Sequence, residues 1–260
     1  MIEKFNREPV EEYFYEWDLD KQKNKLKYEI FNKVTKNILF ELENKIVRDK
    51  ETQEKINESI SLLKNIDNSI LVFDDDIKIK VQARTTFKKE KKSLFDFSKP
   101  KETRSITFYT NIFQYSSTLW IELILYHEFK HFLKLERLDY NEIETQAHID
   151  KHHSQNIDWK KEKNKKEFFA RLSTFRYYMK QRFNKENKKY DISDIKKLFG
   201  ELKDEFEKKT NNFWYNEETQ LKTIYLIYKD NPEKLISDME YIVSNEIDRK
   251  LLQVEVHRHA

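Results

Sequence analysis

The 260-residue chain contains no cysteine and a single glycine, and these two shortages exclude several kinds of site. Without cysteine there can be no disulfide framework, no thiol nucleophile and no cysteine-ligated zinc. A phosphate-binding P-loop, a dinucleotide-binding turn and the G-x-S-x-G turn of serine hydrolases each need several glycines, so the lone Gly200 excludes all three. A tight metal site in this chain must therefore use histidines and carboxylates.

Long apolar runs are also missing from the chain. No stretch approaches the roughly 18 consecutive apolar residues of a membrane span, so we expect none. Residues 1–9 are charged and lack the apolar segment of a secretory signal, so we expect a cytoplasmic protein. The formal net charge of +3 is small for this length and does not by itself indicate a nucleic-acid partner.

Aromatic residues are plentiful, at 14% of the chain, and they supply enough buried area for a folded core. The first third of the chain has helical spacing. A helix is predicted from about Lys21 to Val47, a second from Thr52 to Ile66, and a short earlier one beginning at Pro9. The apolar stripe of the long helix consists of Leu26, Ile30, Val34, Ile38 and Leu42.

The spacing then changes to that of strands. Ser69–Phe73 is a short apolar run, Asp74–Asp76 is a turn signal, and Ile77–Phe87 largely alternates, which predicts a β-hairpin. After a charged connector at Lys88–Arg104, the alternation of Ser105–Phe113 predicts a third strand.

The motif H-E-x-x-H occurs at residues 127–131, inside the apolar run Leu119–Leu133. On a helix, residues i and i+4 lie on one face, so His127 and His131 can both bind one metal ion. Glu128 points toward the same site, where it can accept a proton from a water molecule on the metal. Lys130 should face away from the metal. The motif therefore predicts a zinc hydrolase site on a helix.

A catalytic zinc usually takes three ligands from the protein, so a third must come from elsewhere in the chain. Glu167 is the leading candidate, because it borders an apolar helical stripe and Ala170 is small enough to let two helices approach closely. Its alternative role is an ion pair with Arg171 at i,i+4 spacing.

Two further sets of candidates stay open. Glu144 follows His131 after a short connector, although its spacing from Asn141 also fits a helix capping box. A group of histidines could also supply a ligand, but solvent-facing positions on a short helix explain them more simply. This group is His148, His152 and His153.

These residues resemble a known family. Ile124–Leu133 resembles the active-site helix of the zincin metallopeptidases, and Glu167 in its E-x-x-A-R setting resembles the third ligand of the gluzincin branch. Glu144–His148 is similar to the E-x-x-A-N element of ImmA/IrrE-type peptidases. The resemblance covers about Ser69–Lys180. The metzincin continuation is absent, because neither glycine nor histidine follows His131 at the required spacing.

The resemblance implies a zinc-dependent peptidase with Zn²⁺ held by His127, His131 and Glu167, and with Glu128 as the general base. It also implies a protein or peptide substrate, held in an extended pose by the edge strand of a small sheet. Ser105–Phe113 would be that edge strand, with Tyr109 and Thr110 as substrate contacts. The hydroxyl that stabilises the oxyanion could come from Tyr109, Tyr177 or Tyr178.

The expected fold class is α+β, mostly helical, with a twisted sheet of three or more strands packed on the helix that carries the motif. We expect an N-terminal helical region at 1–66, a zincin-like core at 67–186 and a C-terminal helical region at 187–260, or a single domain. Two other functions stay open: a catalytically inactive zincin scaffold that regulates or binds a partner, and a helical nucleic-acid-binding module with an accidental motif.

Overall fold

A computed structural model describes part of the chain, and within that part no helix combines the length and the apolar character needed to cross a membrane. The described residues are 18–45, 50–75, 83–89, 102–110, 112–115, 118–135, 162–183, 192–207 and 219–236.

The described part of the chain is mostly helical, with one small sheet, and so belongs to the α+β class. The helices are α1 Leu19–Lys25, α2 Phe31–Glu43, α3 Lys50–Asn65, α4 Ile112–Tyr115, α5 Thr118–Phe132, α6 Glu162–Phe183, α7 Ile192–Glu207 and α8 Thr219–Tyr228. The strands are β1 Leu71–Asp74, β2 Ala83–Lys89 and β3 Glu102–Tyr109. A π-helical turn, Leu26–Ile30, joins α1 to α2.

The helices predicted at Lys21–Val47 and Thr52–Ile66 are confirmed over the described residues. The continuous run from α1 to the end of α2 begins at an N-cap, where the Asp18 carboxylate accepts a hydrogen bond from the Lys21 backbone N–H at 3.0 Å. All five residues of the predicted apolar stripe are buried. Helix α3 matches the second predicted helix. The helix predicted from Pro9 lies outside the described residues.

The predicted β-hairpin is wrong, because β1 and β2 are not neighbours in the sheet. The strand order is β1-β3-β2; β1 runs parallel to β3, and β2 runs antiparallel to it. The register of β1 places Leu71 beside Ile106 and Phe73 beside Phe108, which brings apolar side chains together on one face. The acidic residues after β1 indicate a turn, but a turn does not determine which strand pairs with β1.

The predicted edge strand is also wrong. Strand β3 is the central strand among the described residues, so both neighbours use its backbone hydrogen-bonding groups. It ends at Tyr109; Thr110 lies in the following turn and its N–H donates to the Asp74 carbonyl at 2.9 Å. Both residues are buried. The substrate contacts predicted at Tyr109 and Thr110 depended on an edge position that this strand does not have.

Helix α5 lies at the centre of the fold, and every residue from Ile121 to Lys130 is buried. A helix that is apolar on nearly every side must be surrounded, and α5 packs against α2, α6, β2 and β3. Phe31 of α2 packs on Phe129 with ring centroids 5.6 Å apart. One apolar cluster runs from Leu26 to Leu235 and includes residues of all three predicted regions. The domain boundaries themselves stay a prediction.

Candidate metal centre

The two histidines of the motif face one another on α5. Their Nε2 atoms are 3.1 Å apart, and the rings are nearly perpendicular, with centroids separated by 4.8 Å. His127 is 3% exposed, whereas the His131 side chain is 21% exposed. One turn of helix therefore places both nitrogens at a common point near the surface of the core, as the sequence predicts.

Glu167 of α6 completes this group. Its Oε1 lies 3.4 Å from Nε2 of His127, and its Oε2 lies 3.3 Å from Nε2 of His131. Helices α5 and α6 are antiparallel: Tyr178 stacks on Trp120 near the start of α5, while Glu167 reaches the histidines near its end. The structure therefore brings together the three side chains predicted as ligands.

Packing between the two helices explains how Glu167 arrives there. Ala170, one turn beyond Glu167, is completely buried, and α6 packs directly against α5. The hydroxyl of the buried Thr174 donates to the Ala170 carbonyl at 2.8 Å, so its hydrogen bond is made within α6. Helix α6 is therefore buried just beyond Glu167, which places that residue where the helix enters the core.

The spacing of the three side chains fits a metal ion. One ligand atom from each of His127, His131 and Glu167 lies within 4.8 Å of the others. Ligands about 2.0–2.1 Å from a tetrahedral ion lie about 3.3 Å from one another. The separation of 3.1 Å between the two imidazole nitrogens is close to that value, while the contacts of 3.4 and 3.3 Å to Glu167 are made by its two different oxygens, Oε1 and Oε2. The nitrogen–nitrogen distance of 3.1 Å also fits an N–H···N hydrogen bond between the two rings.

Glu167 is held as a carboxylate by its surroundings. Burial alone would raise its pKa, but the charge of His127, hydrogen bonds from His127 and His131, and the Arg171 guanidinium together lower the pKa well below its ordinary range. The Arg171 Nε donates to Oε1 at 3.0 Å. Glu167 therefore makes the predicted ion pair with Arg171 and also lies where a metal ligand is expected.

His127 departs from the usual pattern of zinc ligands. Its Nδ1 is buried and has no hydrogen-bond partner among the described residues. A histidine ligand normally donates its second N–H to a carboxylate or carbonyl, which fixes the tautomer and the ring orientation. Here the ring is buried, and the contacts that orient it are those of Nε2 with His131 and Glu167.

Glu128 is fixed by a strand rather than by its own helix. Its Oε2 lies 2.7 Å from the Thr85 hydroxyl of β2, which also lies 2.9 Å from the Glu128 carbonyl oxygen. Glu128 is only 8% exposed, so this contact is largely shielded from solvent. The sequence analysis did not identify Thr85. The alternation of the strand places Thr85 on the same face as Ala83, and this could have indicated a hydroxyl that faces the interior.

Two of the three tyrosines predicted as oxyanion donors, Tyr177 and Tyr178, lie away from the candidate metal centre. Tyr177 and Tyr178 lie roughly 15 Å along the helix axis from Glu167, given a rise of about 1.5 Å per residue. The Tyr177 hydroxyl donates to Glu122 Oε1 at 2.6 Å and accepts from the Asn37 amide at 2.9 Å. The Tyr178 ring instead stacks on Trp120, with centroids 6.3 Å apart. For Tyr109, no hydrogen bond within the described part of the chain joins its hydroxyl to the centre.

Lys130 points away from the metal centre, as predicted. Its Nζ lies 3.4 Å from Glu41 Oε2, and both side chains are buried. The Tyr126 hydroxyl donates to the same oxygen at 2.8 Å. Burial raises the pKa of Glu41, but Lys130, Arg176 and the Tyr126 hydrogen bond outweigh it and lower the pKa. The sequence analysis did not anticipate this partner for Lys130.

Glu144 and the three histidines at 148, 152 and 153 lie outside the described residues, so their roles stay predictions. Of the candidate third ligands, Glu167 is the one that the described structure places beside the motif.

Compared with known proteins, the chain matches no family model, and no curated protein or solved structure shows significant similarity to it. Any functional assignment must therefore rest on the residues and their geometry.

Proposed function

We propose that the protein is a zinc-dependent peptidase whose metal ligands are His127, His131 and Glu167 and whose general base is Glu128. The main support is the convergence of the three side chains, because one possible ligand atom of each lies within 4.8 Å of the others. Two imidazoles and one carboxylate are the ligand set of many zinc peptidases, and they leave a fourth position open for chemistry.

Each side chain has a distinct task in this proposal. His127 and His131 would hold the metal as neutral imidazoles, and Glu167 would supply the negative charge. A zinc ion held there would lower the pKa of a water from about 15.7 to about 7. The Glu128 carboxylate would take up a proton as water attacks the peptide carbonyl and would donate it to the amine that leaves when the peptide bond breaks.

The geometry also favours a place for the substrate. Strand β2 is an edge strand among the described residues, and it packs on α5, where Thr85 contacts Glu128. An extended peptide could add to this edge through backbone hydrogen bonds, with its scissile bond near the general base. In this proposal β2 takes the role that the sequence assigned to β3.

A catalytically inactive scaffold is the second candidate, and two observations favour it. Arg171 binds Glu167 Oε1 at 3.0 Å and competes with a metal for that oxygen. His127 lacks the usual acceptor for its second ring nitrogen. A protein that uses this cluster only to join α5 to α6 would retain both features.

A metal analysis of the untreated full chain, followed by digestion of a peptide library, separates these functions. The peptidase proposal expects about one zinc per chain and cleavage that disappears in Glu128→Gln while the zinc content stays unchanged. Glu54→Gln, an exposed carboxylate on α3, is the matched control and should cleave normally. Zinc without cleavage would favour the scaffold. Absence of bound zinc after supplementation, or cleavage by Glu128→Gln at the wild-type rate, would overturn the proposed mechanism.

A further inference from the structure

Thr85 makes an unusual connection between the sheet and the motif helix. Its hydroxyl lies within hydrogen-bond distance of two oxygens of one residue, the carbonyl oxygen and Oε2 of Glu128. Thr85 is half-buried on β2. A single side chain of an edge strand thus contacts both the backbone and the carboxylate of the proposed general base.

The carboxylate is the stronger of the two acceptors. A hydroxyl has one proton to donate, and a hydrogen bond to a charged oxygen is shorter and stronger than one to a carbonyl. The distance of 2.7 Å to Oε2, against 2.9 Å to the carbonyl, agrees with this preference. The hydroxyl therefore restrains Oε2 and limits the rotation of the Glu128 side chain.

We infer that Thr85 is a positioning residue for Glu128, an inference that rests on the proposed peptidase function. Thr85 occupies Oε2 and leaves Oε1 as the oxygen that exchanges the proton. Within the described part of the chain, the hydrogen bonds of its hydroxyl go to Glu128 and not to His127, His131 or Glu167, so it acts by holding the base in one orientation. Groups that orient a catalytic site in this way typically contribute about 10- to 100-fold to activity.

Three variants of the full, zinc-loaded chain test this role. Thr85→Val keeps the branched shape and the strand preference but removes the hydroxyl; Thr85→Ser keeps the hydroxyl and removes a methyl group. Thr86→Val is the matched control, because it makes the same change at the next residue of β2, on the opposite face. Zinc content, thermal midpoint, kcat and KM are measured for each on a peptide found by library digestion.

Thr85→Val should lower kcat about 10- to 100-fold with zinc content and KM within about twofold of wild type, because base orientation acts on the chemical step. Thr85→Ser should recover most of the activity, and Thr86→Val should resemble wild type. A wild-type kcat in Thr85→Val, or an equal loss in Thr85→Ser, would overturn the role of the hydroxyl. The proposed peptidase function would survive that result if Glu128→Gln remained inactive.

Crystal structures of the two Thr85 variants give a readout that does not need turnover. The Glu128 carboxylate should keep a single position in Thr85→Ser and occupy more than one in Thr85→Val. A single, unchanged position in both variants would refute the inference even if the wild-type protein cleaved no peptide.

Discussion

Replacing Glu167 with glutamine tests the metal centre most directly, because it removes a charge while preserving shape. Both carboxylate oxygens face histidine nitrogens, at 3.4 and 3.3 Å, so both take part in the site. Glutamine presents one neutral oxygen and one N–H₂ group, which cannot bind a cation. The variant should therefore retain the two imidazole ligands and lose the anionic one.

The expected size of the effect follows from linkage between binding and folding. At free zinc about 1,000-fold above Kd, binding stabilises the folded state by about 4.1 kcal/mol. Removal of groups that only orient ligands weakens binding about 10- to 100-fold, so loss of a direct ligand should weaken it at least about 100-fold. The same zinc concentration then stabilises Glu167→Gln by only about 1.4 kcal/mol.

The assay is thermal unfolding of each protein with zinc and with a chelator. The difference of roughly 2.7 kcal/mol should reduce the zinc-induced rise in the midpoint by about 5–11 °C for a chain of this size. Because the zinc-induced rise in the midpoint is measured within each variant, the change in stability caused by losing the ion pair with Arg171 does not contribute to it. Glu54→Gln should show the full wild-type rise. If Glu167→Gln shows it too, Glu167 is not a ligand, and Glu144 becomes the carboxylate to test.

Two predictions concern the buried polar groups behind α5. Lys130→Met should lower the free energy of unfolding by about 3–5 kcal/mol, because it leaves Glu41 charged and without its nearest cation. Adding Glu41→Gln, whose side-chain oxygen can still accept from Tyr126, should restore most of this stability. Urea denaturation measures both variants. A double variant no more stable than Lys130→Met would refute the charge argument. Tyr177→Phe should cost about 1–3 kcal/mol at pH 7, because Glu122 loses a buried donor. Burial, and next the bond to Glu122, raise the pKa of Tyr177, so the unfolded chain loses this proton first. The free energy of unfolding of the wild type should therefore fall as pH rises above about 10, and Tyr177→Phe should not show the decrease that comes from Tyr177. If the stability of the two proteins fell in parallel with pH, this prediction would be contradicted.

The parts of the fold that depend on local geometry could be predicted from the sequence. The apolar stripe from Leu26 to Leu42 defines one helix face, and all of its members are buried. The convergence of His127 and His131 follows from the i,i+4 spacing alone. The outward direction of Lys130 follows from the same helical geometry, although its partner does not. Such features need no knowledge of the rest of the chain.

The sheet shows where this reasoning stops. Alternation identifies which face of a strand is buried, but it carries little information about the neighbouring strand. The three strands were approximately located, yet β1 pairs with β3 because Leu71 and Phe73 match Ile106 and Phe108 on a common face. The central position of β3 is a property of all three strands together. An edge strand could not be identified from one segment.

The proposed site combines both kinds of information, and this makes metal binding and catalysis separable. The three ligands come from α5 and α6, whose helical stripes could be recognised in the sequence, whereas the base is held by Thr85 of β2, whose place in the sheet could not. A disturbance of α6 should therefore remove the metal, and a disturbance of β2 should leave the metal and impair turnover. Because H-E-x-x-H supplies only the part on α5, the proposed peptidase also requires Glu167 of α6 and the contact between β2 and Glu128.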